Sequence, residues 1–375
     1  MATQRSSFLL WEASTLAPVT PLVSWQDTRA AAWCSSRREA ESWVRRRTGL
    51  VLSPHYVGPK LASLWGERPD LRRRAGNGEL RFGTLDTYFA ILISGGELHV
   101  MDPTQAQRTS LWNLDDEDWD EDLLHFFDVP RSLLPSVGPG PWRHQRGEIL
   151  AMLADQSAAA LGLDHRAAPC LVNLGTGGFV LSRTASRPRM GSGLLLSHLG
   201  KRGERVPWMA EGTINGIATS FSLTQAPDGS SRGDESEPEF GLPDFGAVGA
   251  PWWRPGVGPL FSPRGSRLTG EDFRMILAQG LAFRVREILE SLPGNGSILL
   301  SGGLSRDAHI REALRRCISR SFLVADDPEL TLRGLLVTCG VSLPPLLGIL
   351  MPPEVDTALD LSFASWRRWV RRALG

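Results

Sequence analysis

Asp155 is the residue of this chain best placed to do chemistry. It stands in Ala154-Asp155-Gln156-Ser157-Ala158-Ala159-Ala160, where a short apolar strand gives way to an Ala-rich helix. Backbone N–H groups at such a junction keep a carboxylate ionised, and an ionised carboxylate can take the proton of an attacking hydroxyl. The same position suits an ordinary helix N-cap, and the residues alone leave both readings open. Leu174-Gly175-Thr176-Gly177-Gly178-Phe179 is a second candidate. Glycines let backbone N–H groups approach phosphate oxygens and the threonine hydroxyl adds a donor, although a plain hairpin turn asks for no more than this. A third turn, Gly302-Gly303, follows the buried-type strand Ile298–Ser301.

The elements that must position these residues are those of an ordinary globular α/β protein. The chain has 375 residues, 42% apolar and 22% charged, which is room for two domains with their own cores. Lys+Arg and Asp+Glu balance at 41 each, so nothing global points to nucleic acid or to an anionic membrane as partner. The Arg clusters at 45–47, 72–74 and 367–372 read as solvated helix faces. Cys34, Cys170, Cys317 and Cys339 show neither CxxC nor metal-ligand spacing and are expected to be reduced thiols in a cytoplasmic protein. No apolar run reaches transmembrane length, and no secretory-signal pattern opens the chain.

Strands are expected at 8–12 and 23–27, followed by a helix over 28–47 capped by Thr28. Further helices are expected at 58–66, 69–76, 85–92 and 120–127, with Pro69 suited to a first turn and an acidic first turn in the last. The run 98–101 alternates as a strand does, and 138–147 is a Gly/Pro-rich connector. Residues 171–181 read as strand, tight turn and strand, and 225–244 as a long exposed loop. The segment 271–291 is the strongest amphipathic helix, capped by Thr269 or Gly270, and the helix after the strand 298–301 runs over 307–318.

Gly78-Glu79-Leu80-Arg81-Phe82-Gly83-Thr84-Leu85-Asp86-Thr87-Tyr88 is followed by Gly96-Glu97-Leu98-His99-Val100-Met101-Asp102 and then Arg108-Thr109. In order and near spacing, these resemble the GELLFGTVDTW, G-x-V-H-V-T-D and ASRT words of the glycerol kinase branch of the FGGY carbohydrate kinases. The stretches 119–124 and 129–135 continue the match. The resemblance implies two ribonuclease-H-like domains of the actin/hexokinase type around a cleft. Residues 1–161 would form the substrate side and 162–375 the nucleotide side. It further implies phosphoryl transfer from ATP, with Mg²⁺, to a terminal hydroxyl of glycerol or a related small polyol or sugar. The partner is then that small molecule; a homo-oligomer stays open.

The resemblance also assigns roles. Asp155 is similar to the general base of the family's GDQQAAL, beside the metal-nucleotide, with Gln156 next to it on the substrate side. Gly175, Thr176 and Gly177 resemble the phosphate-holding YGTGCF turn, and Phe179 the residue that lines the polyol pocket. Gly302, Gly303 and Asp307 resemble the adenosine turn DGGxxxN, with Ser301 in place of its aspartate and Asp307 where asparagine is usual. The run 249–253 matches GAPYW, and Glu211-Gly212 matches LEG. The 330–334 helix start departs from the family's T-A-L-G. Gln4-Arg5-Ser6-Ser7 aligns with NQRETT, so Arg5 keeps the polyol-binding arginine while Ser6 replaces the glutamate. His55 takes the place of the substrate tyrosine. Loss of a buried acceptor can alter discrimination between polyols by orders of magnitude.

Members of the family open with a strand, a DxGTT loop that grips the γ-phosphate, further strands and a helix. Residues 1–5 match the strand that follows these. No Walker-type loop substitutes, since Gly200-Lys201-Arg202 lacks the glycine spacing and the hydroxyl residue. One preorganised donor is worth about 10²–10³ in rate, so the first domain reads as truncated and the chain as written is expected to be inactive and poorly stable. Either its start lies upstream of Met1, or it is an inactive actin-like-fold remnant that binds a nucleotide or a protein.

Overall fold

The structure, a computed structural model, describes residues 1–163, 168–188, 193–199, 208–292, 294–325, 329–354 and 356–375. Gly200-Lys201-Arg202 lies outside them. The chain forms two compact units. The first comprises Met1–Gly162, Leu195–Met209 and Glu329–Pro344; the second comprises Leu163–Leu194, Ala210–Pro328 and Pro345–Gly375.

In the first unit the strands pair two by two. β1 (Ala2–Thr3) runs parallel to β4 (Leu153–Ala154), with Thr3 opposite Ala154. β2 (Phe8–Glu12) is antiparallel to β3 (Leu80–Thr84), in the register Phe8↔Thr84 to Glu12↔Leu80. Phe8, Leu10, Trp11, Leu80 and Phe82 are fully buried, which is why this pair forms. The helices α1 (Val57–Glu67), α2 (Leu85–Ser94) and α3 (Asp155–Leu161) belong to the same unit, α2 packing on β1, β2 and β3 and α3 on β1 and β4. The helix Leu330–Thr338 packs against α3 at very close range: a Cβ on Gly334 would lie 1.8 Å from the Ala158 carbonyl oxygen. The divergent 330–334 stretch therefore serves packing on α3, and Thr331 Oγ1 also donates to the Asp155 carbonyl at 3.4 Å.

The second unit is built on one sheet. Its strands are β5 (Cys170–Leu174), β6 (Gly178–Thr184), β7 (Trp208–Ile214, in this unit from Ala210), β8 (Ile298–Ser301), β9 (Phe322–Ala325) and β10 (Gly348–Met351). Their order is β7-β6-β5-β8-β9-β10, with β5–β6 antiparallel, β5–β8 and β8–β9 parallel, and β10 antiparallel at the edge. β5 and β8 are buried along almost their whole length, as the apolar runs Cys-Leu-Val and Ile-Leu-Leu require. The helices α4 (Ile217–Phe221), α5 (Gly270–Ser291) and α6 (Ala308–Cys317) belong to this unit. The expected α/β character is thus present, and among the described residues no helix is long and apolar enough to cross a membrane.

Some local expectations fail. Residues 23–27 form no strand; Val23 makes a single bridge to Phe8 because Ser24 and Trp25 are tied to other partners. The helix expected over 28–47 breaks into Ala31–Ser35, a 3-10 turn Arg38–Ala40 and Glu41–Thr48, and Thr28 caps none of them. The 225–244 segment is not exposed throughout: Glu237, Phe240, Leu242 and Asp244 are buried. Asp120, expected as the first residue of a helix over 120–127, is instead the cap of the helix Glu121–Phe126, its carboxylate accepting the Leu123 N–H at 3.0 Å.

Candidate active site

β1 and β4 are adjacent and parallel, so the residues that follow each strand emerge at the same end of the pair. That places Arg5 beside Asp155, with Arg5 Nε 3.8 Å from Asp155 Oδ1. The carboxylate stays 36% exposed while Arg5 is largely covered, at 12%. Asp155 is the first residue of α3 and not its cap, which is Ala154. Gln156, nearly buried, donates its backbone N–H to Asp155 Oδ1 at 2.7 Å. The N-cap reading of Asp155 therefore falls, and an acceptor-rich side chain faces outward at a strand end.

Next to this pair the backbone of Ser6 takes a positive φ of 60°, and its hydroxyl donates to the Arg108 carbonyl at 2.9 Å. Ser7 Oγ accepts the Trp25 N–H at 2.9 Å. His55 Nδ1 lies 3.1 Å from the Trp25 carbonyl, which can only accept, so Nδ1 carries the proton. Burial lowers the His55 pKa, and Nε2 of the neutral ring is left as an acceptor. The Trp25 and His55 rings lie 6.0 Å apart at 34°. Lys60 is fully buried and donates to the Ser24 carbonyl at 2.6 Å, and burial pushes its pKa down to about 7. Trp25 and Lys60 escaped the sequence reading. The available signal was that Lys60 is one of two lysines in a chain whose positive charge is otherwise Arg.

The motif words that carry the resemblance turn out to hold β1 and β4 in place. Thr84 Oγ1 donates to Asp86 Oδ1 at 2.6 Å, and Thr3 reaches the same oxygen at 3.4 Å. Gln105 Nε2 donates to Thr3 Oγ1 at 2.9 Å. Thr104 Oγ1 accepts the Ala154 N–H at 2.9 Å and donates to Asp102 Oδ1 at 2.6 Å. Burial, reinforced by the nearby Asp86 carboxylate, pushes the Asp102 carboxyl up to about 7. The folded chain thus favours the protonated acid. The stability that depends on this proton is full below the ordinary carboxylate range and is lost as pH rises through about 7. Asp102→Asn keeps the acceptor for Thr104 and removes the titration. Its thermal midpoint is expected to match the native chain at pH 5 and to exceed it at pH 8. A pH-independent difference would contradict this.

In the second unit, β5 and β8 run parallel with Asn173 opposite Ser301, so the turns after them lie side by side. Gly175 N–H donates to the Gly177 carbonyl at 3.0 Å, leaving Thr176 exposed at the tip. Gly302 has φ 90° and ψ 164°, a region essentially restricted to glycine. A Cβ there would lie 2.4 Å from the Leu174 carbonyl oxygen and 2.6 Å from Asn173 Oδ1, whereas one on Gly303 would meet no protein atom within 4 Å. Ser301 Oγ donates to Asn173 Oδ1 at 3.4 Å. Asp307 caps α6 through the N–H groups of His309 and Ile310, at 2.9 and 3.1 Å, and pairs with Arg274. Burial works to raise its pKa, but Arg274 and these N–H groups hold it below the usual value. Phe179, opposite Asn173 on β6, belongs to this unit, while Arg5, His55, Asp155 and Gln156 belong to the first.

The model of the FGGY family of carbohydrate kinases, N-terminal domain, matches residues 1–170. A glycerol kinase of Thermus brockianus is 31% identical over 418 residues, covering 100% of this chain and 84% of the relative. One of Ectopseudomonas mendocina (strain ymp) is 30% identical, covering 91% and 74% respectively. Among solved structures, Plasmodium falciparum glycerol kinase with ADP superposes with a TM-score of 0.83 at 18% identity, over 100% of this chain and 83% of that one. Gluconate kinase from Lactobacillus acidophilus gives 0.79 at 15% identity, over 99% and 82%. At these identities the two structures speak for the fold, two-domain and actin/hexokinase-like.

Proposed function

Because the chain belongs to the FGGY family of carbohydrate kinases, we propose that it transfers the γ-phosphoryl group of ATP to a terminal hydroxyl of glycerol or a related small polyol or sugar. The observation that carries this reading is the Arg5–Asp155 pair at the ends of two adjacent parallel strands. Asp155 takes the hydroxyl proton as the oxygen forms its bond to the γ-phosphorus; the bond to the bridging oxygen breaks and ADP leaves. Arg5 donates to substrate hydroxyls, and the His55 ring, fixed by the Trp25 carbonyl, offers Nε2 as an acceptor. Gln156 supports the carboxylate through its N–H.

The second unit holds the nucleotide. Gly175, Thr176 and Gly177 meet phosphate oxygens, and Gly302 and Gly303 let the nucleotide approach the backbone closely. Asp307, whose carboxylate is already occupied, acts by shaping the turn before α6. Phe179 is given to the polyol side by family likeness. Phe179 apart, the first unit takes the substrate side and the second the nucleotide side; their bounds depart from 1–161 and 162–375 in that 195–209 and 329–344 belong to the first.

Mg²⁺ fits as an ion that arrives on the nucleotide. Among the described residues no group of three or more His, Cys, Asp or Glu could cage a metal, and Mg²⁺ commonly takes one or two carboxylates plus substrate phosphates. Asp155 is the carboxylate that would face it. When bound, the ion would neutralise charge on the phosphates. A cytoplasmic setting suits the four free thiols Cys34, Cys170, Cys317 and Cys339.

The test is ATP-dependent phosphorylation across glycerol, tetritols, pentitols and ketoses. The expected result is ADP release matched by a phosphorylated product for one class of acceptor, against the inactivity expected from the sequence words alone. ADP release with none of these acceptors would overturn the proposal.

A further inference from the structure

A buried charge cluster in the second unit has no part in the chemistry above. Arg284, on α5, is wholly buried. Its Nε donates to Asp244 Oδ2 at 2.9 Å, its Nη1 to Glu287 Oε2 at 2.6 Å and its Nη2 to the Ala250 carbonyl at 2.6 Å. Both carboxylates also accept from the neighbouring loop. Asp244 Oδ1 receives the Gly249 N–H at 2.9 Å and the Asn215 N–H at 3.4 Å, and Glu287 Oε2 receives Trp252 Nε1 at 3.0 Å. Burial opposes the charge on Arg284, yet Asp244 and Glu287 raise its pKa.

These bonds converge on the Gly249–Trp253 loop and on the end of β7. The Ala250 N–H in turn donates to the Thr213 carbonyl at 3.0 Å, and the Phe245 N–H to the Asn215 carbonyl at 2.9 Å. The end of β7 and the start of α4 support the glycine turn between β5 and β6. Ala218 N–H donates to the Thr176 carbonyl at 3.3 Å, and a Cβ on Gly178 would sit 3.2 Å from Ile214 and 3.4 Å from Ile217. Buried ion pairs add little net stability over apolar packing of the same volume. What this one does is fix several backbone amides at once.

We propose that Arg284 is a positioning residue for the Gly175–Gly178 turn, acting through Asp244 and the Asn215–Ala218 segment. The inference rests on the nucleotide role given to that turn above. It predicts that loosening the cluster weakens the nucleotide side and spares the polyol side.

Arg284→Lys keeps the charge but cannot span two carboxylates and a carbonyl. Asp244→Asn keeps the acceptor for Gly249 and serves where Arg284→Lys folds poorly. Either folded variant is expected to bind ATP about tenfold more weakly by calorimetry, with the KM for the polyol unchanged. Hydrogen exchange should quicken at 175–178 and 249–253 while β5 and β8 stay protected. Unchanged ATP affinity, or protection lost evenly across the unit, would overturn the role of Arg284 alone. A native chain that binds no ATP, with exchange at 175–178 still responding to the variants, would overturn the nucleotide reading and leave Arg284 as the residue that positions the turn.

Discussion

Asp155→Asn is expected to lower the rate of phosphoryl transfer by about 10²–10⁴-fold while ATP affinity and fold are retained. The substitution is nearly isosteric. Its amide oxygen can still accept the Gln156 N–H that Asp155 Oδ1 accepts at 2.7 Å, so α3 should begin at the same residue. What disappears is the ability to take a proton and the charge facing Arg5 at 3.8 Å. Proton transfer in the transition state is then left to water, which neither sits at a fixed distance nor has a matched pKa. Steady-state turnover with the best acceptor, together with ATP binding by calorimetry, separates the two contributions. Turnover within about threefold of the native chain, less than 1 kcal/mol of barrier, would remove Asp155 from the role of base.

Gly302→Ala is the second change with a large expected effect, and it acts by a different route. A side chain at φ 90° and ψ 164° is strained whatever surrounds it. Here it would also be driven to 2.4 Å from the Leu174 carbonyl oxygen. Neither atom can retreat cheaply, because Leu174 ends β5, which is bonded to β6 on one side and to β8 on the other. Strain and overpacking each cost about 1–3 kcal/mol. The unfolding midpoint should fall clearly and ATP binding should be lost, since the parted strand ends carry both turns proposed to hold the nucleotide. Gly303→Ala is the companion measurement. A Cβ there meets no protein atom, so stability should hold, and weaker ATP binding would report the ligand itself. Equal, unaltered stability and ATP affinity in both variants would show that these turns are not the nucleotide's seat.

Much of the framework was legible residue by residue. The strands Phe8–Glu12 and Ile298–Ser301 are short apolar runs bounded by polar or turn residues, and they form as expected. The hairpin around Gly175–Gly177 follows from glycine's backbone freedom between two apolar runs. The helix after Asp120 is dictated by a local cap. Failures cluster where a segment's own residues have weak preferences and distant partners decide. Residues 23–27 look like a strand, but Ser7 and Lys60 claim the backbone of Trp25 and Ser24. Residues 237–244 look like exposed loop, but Arg284 draws Asp244 into the interior.

The candidate site divides along the same line. The types of its residues could be read from the chain alone: a carboxylate at a strand end, an arginine, glycine turns with a hydroxyl. Their pairing could not. Arg5 meets Asp155 only because β1 and β4 pair in one parallel register, held by Thr3, Thr104 and Gln105. The two glycine turns lie side by side only because β5 and β8 are neighbours. Local sequence sets which backbone shapes a segment can adopt, since dihedral preference, capping and apolar period act over a few residues. Which segments meet depends on burial and hydrogen bonding among the whole set, and Lys60 and the Arg284 cluster, charged groups placed in the interior by distant partners, belong to that second kind.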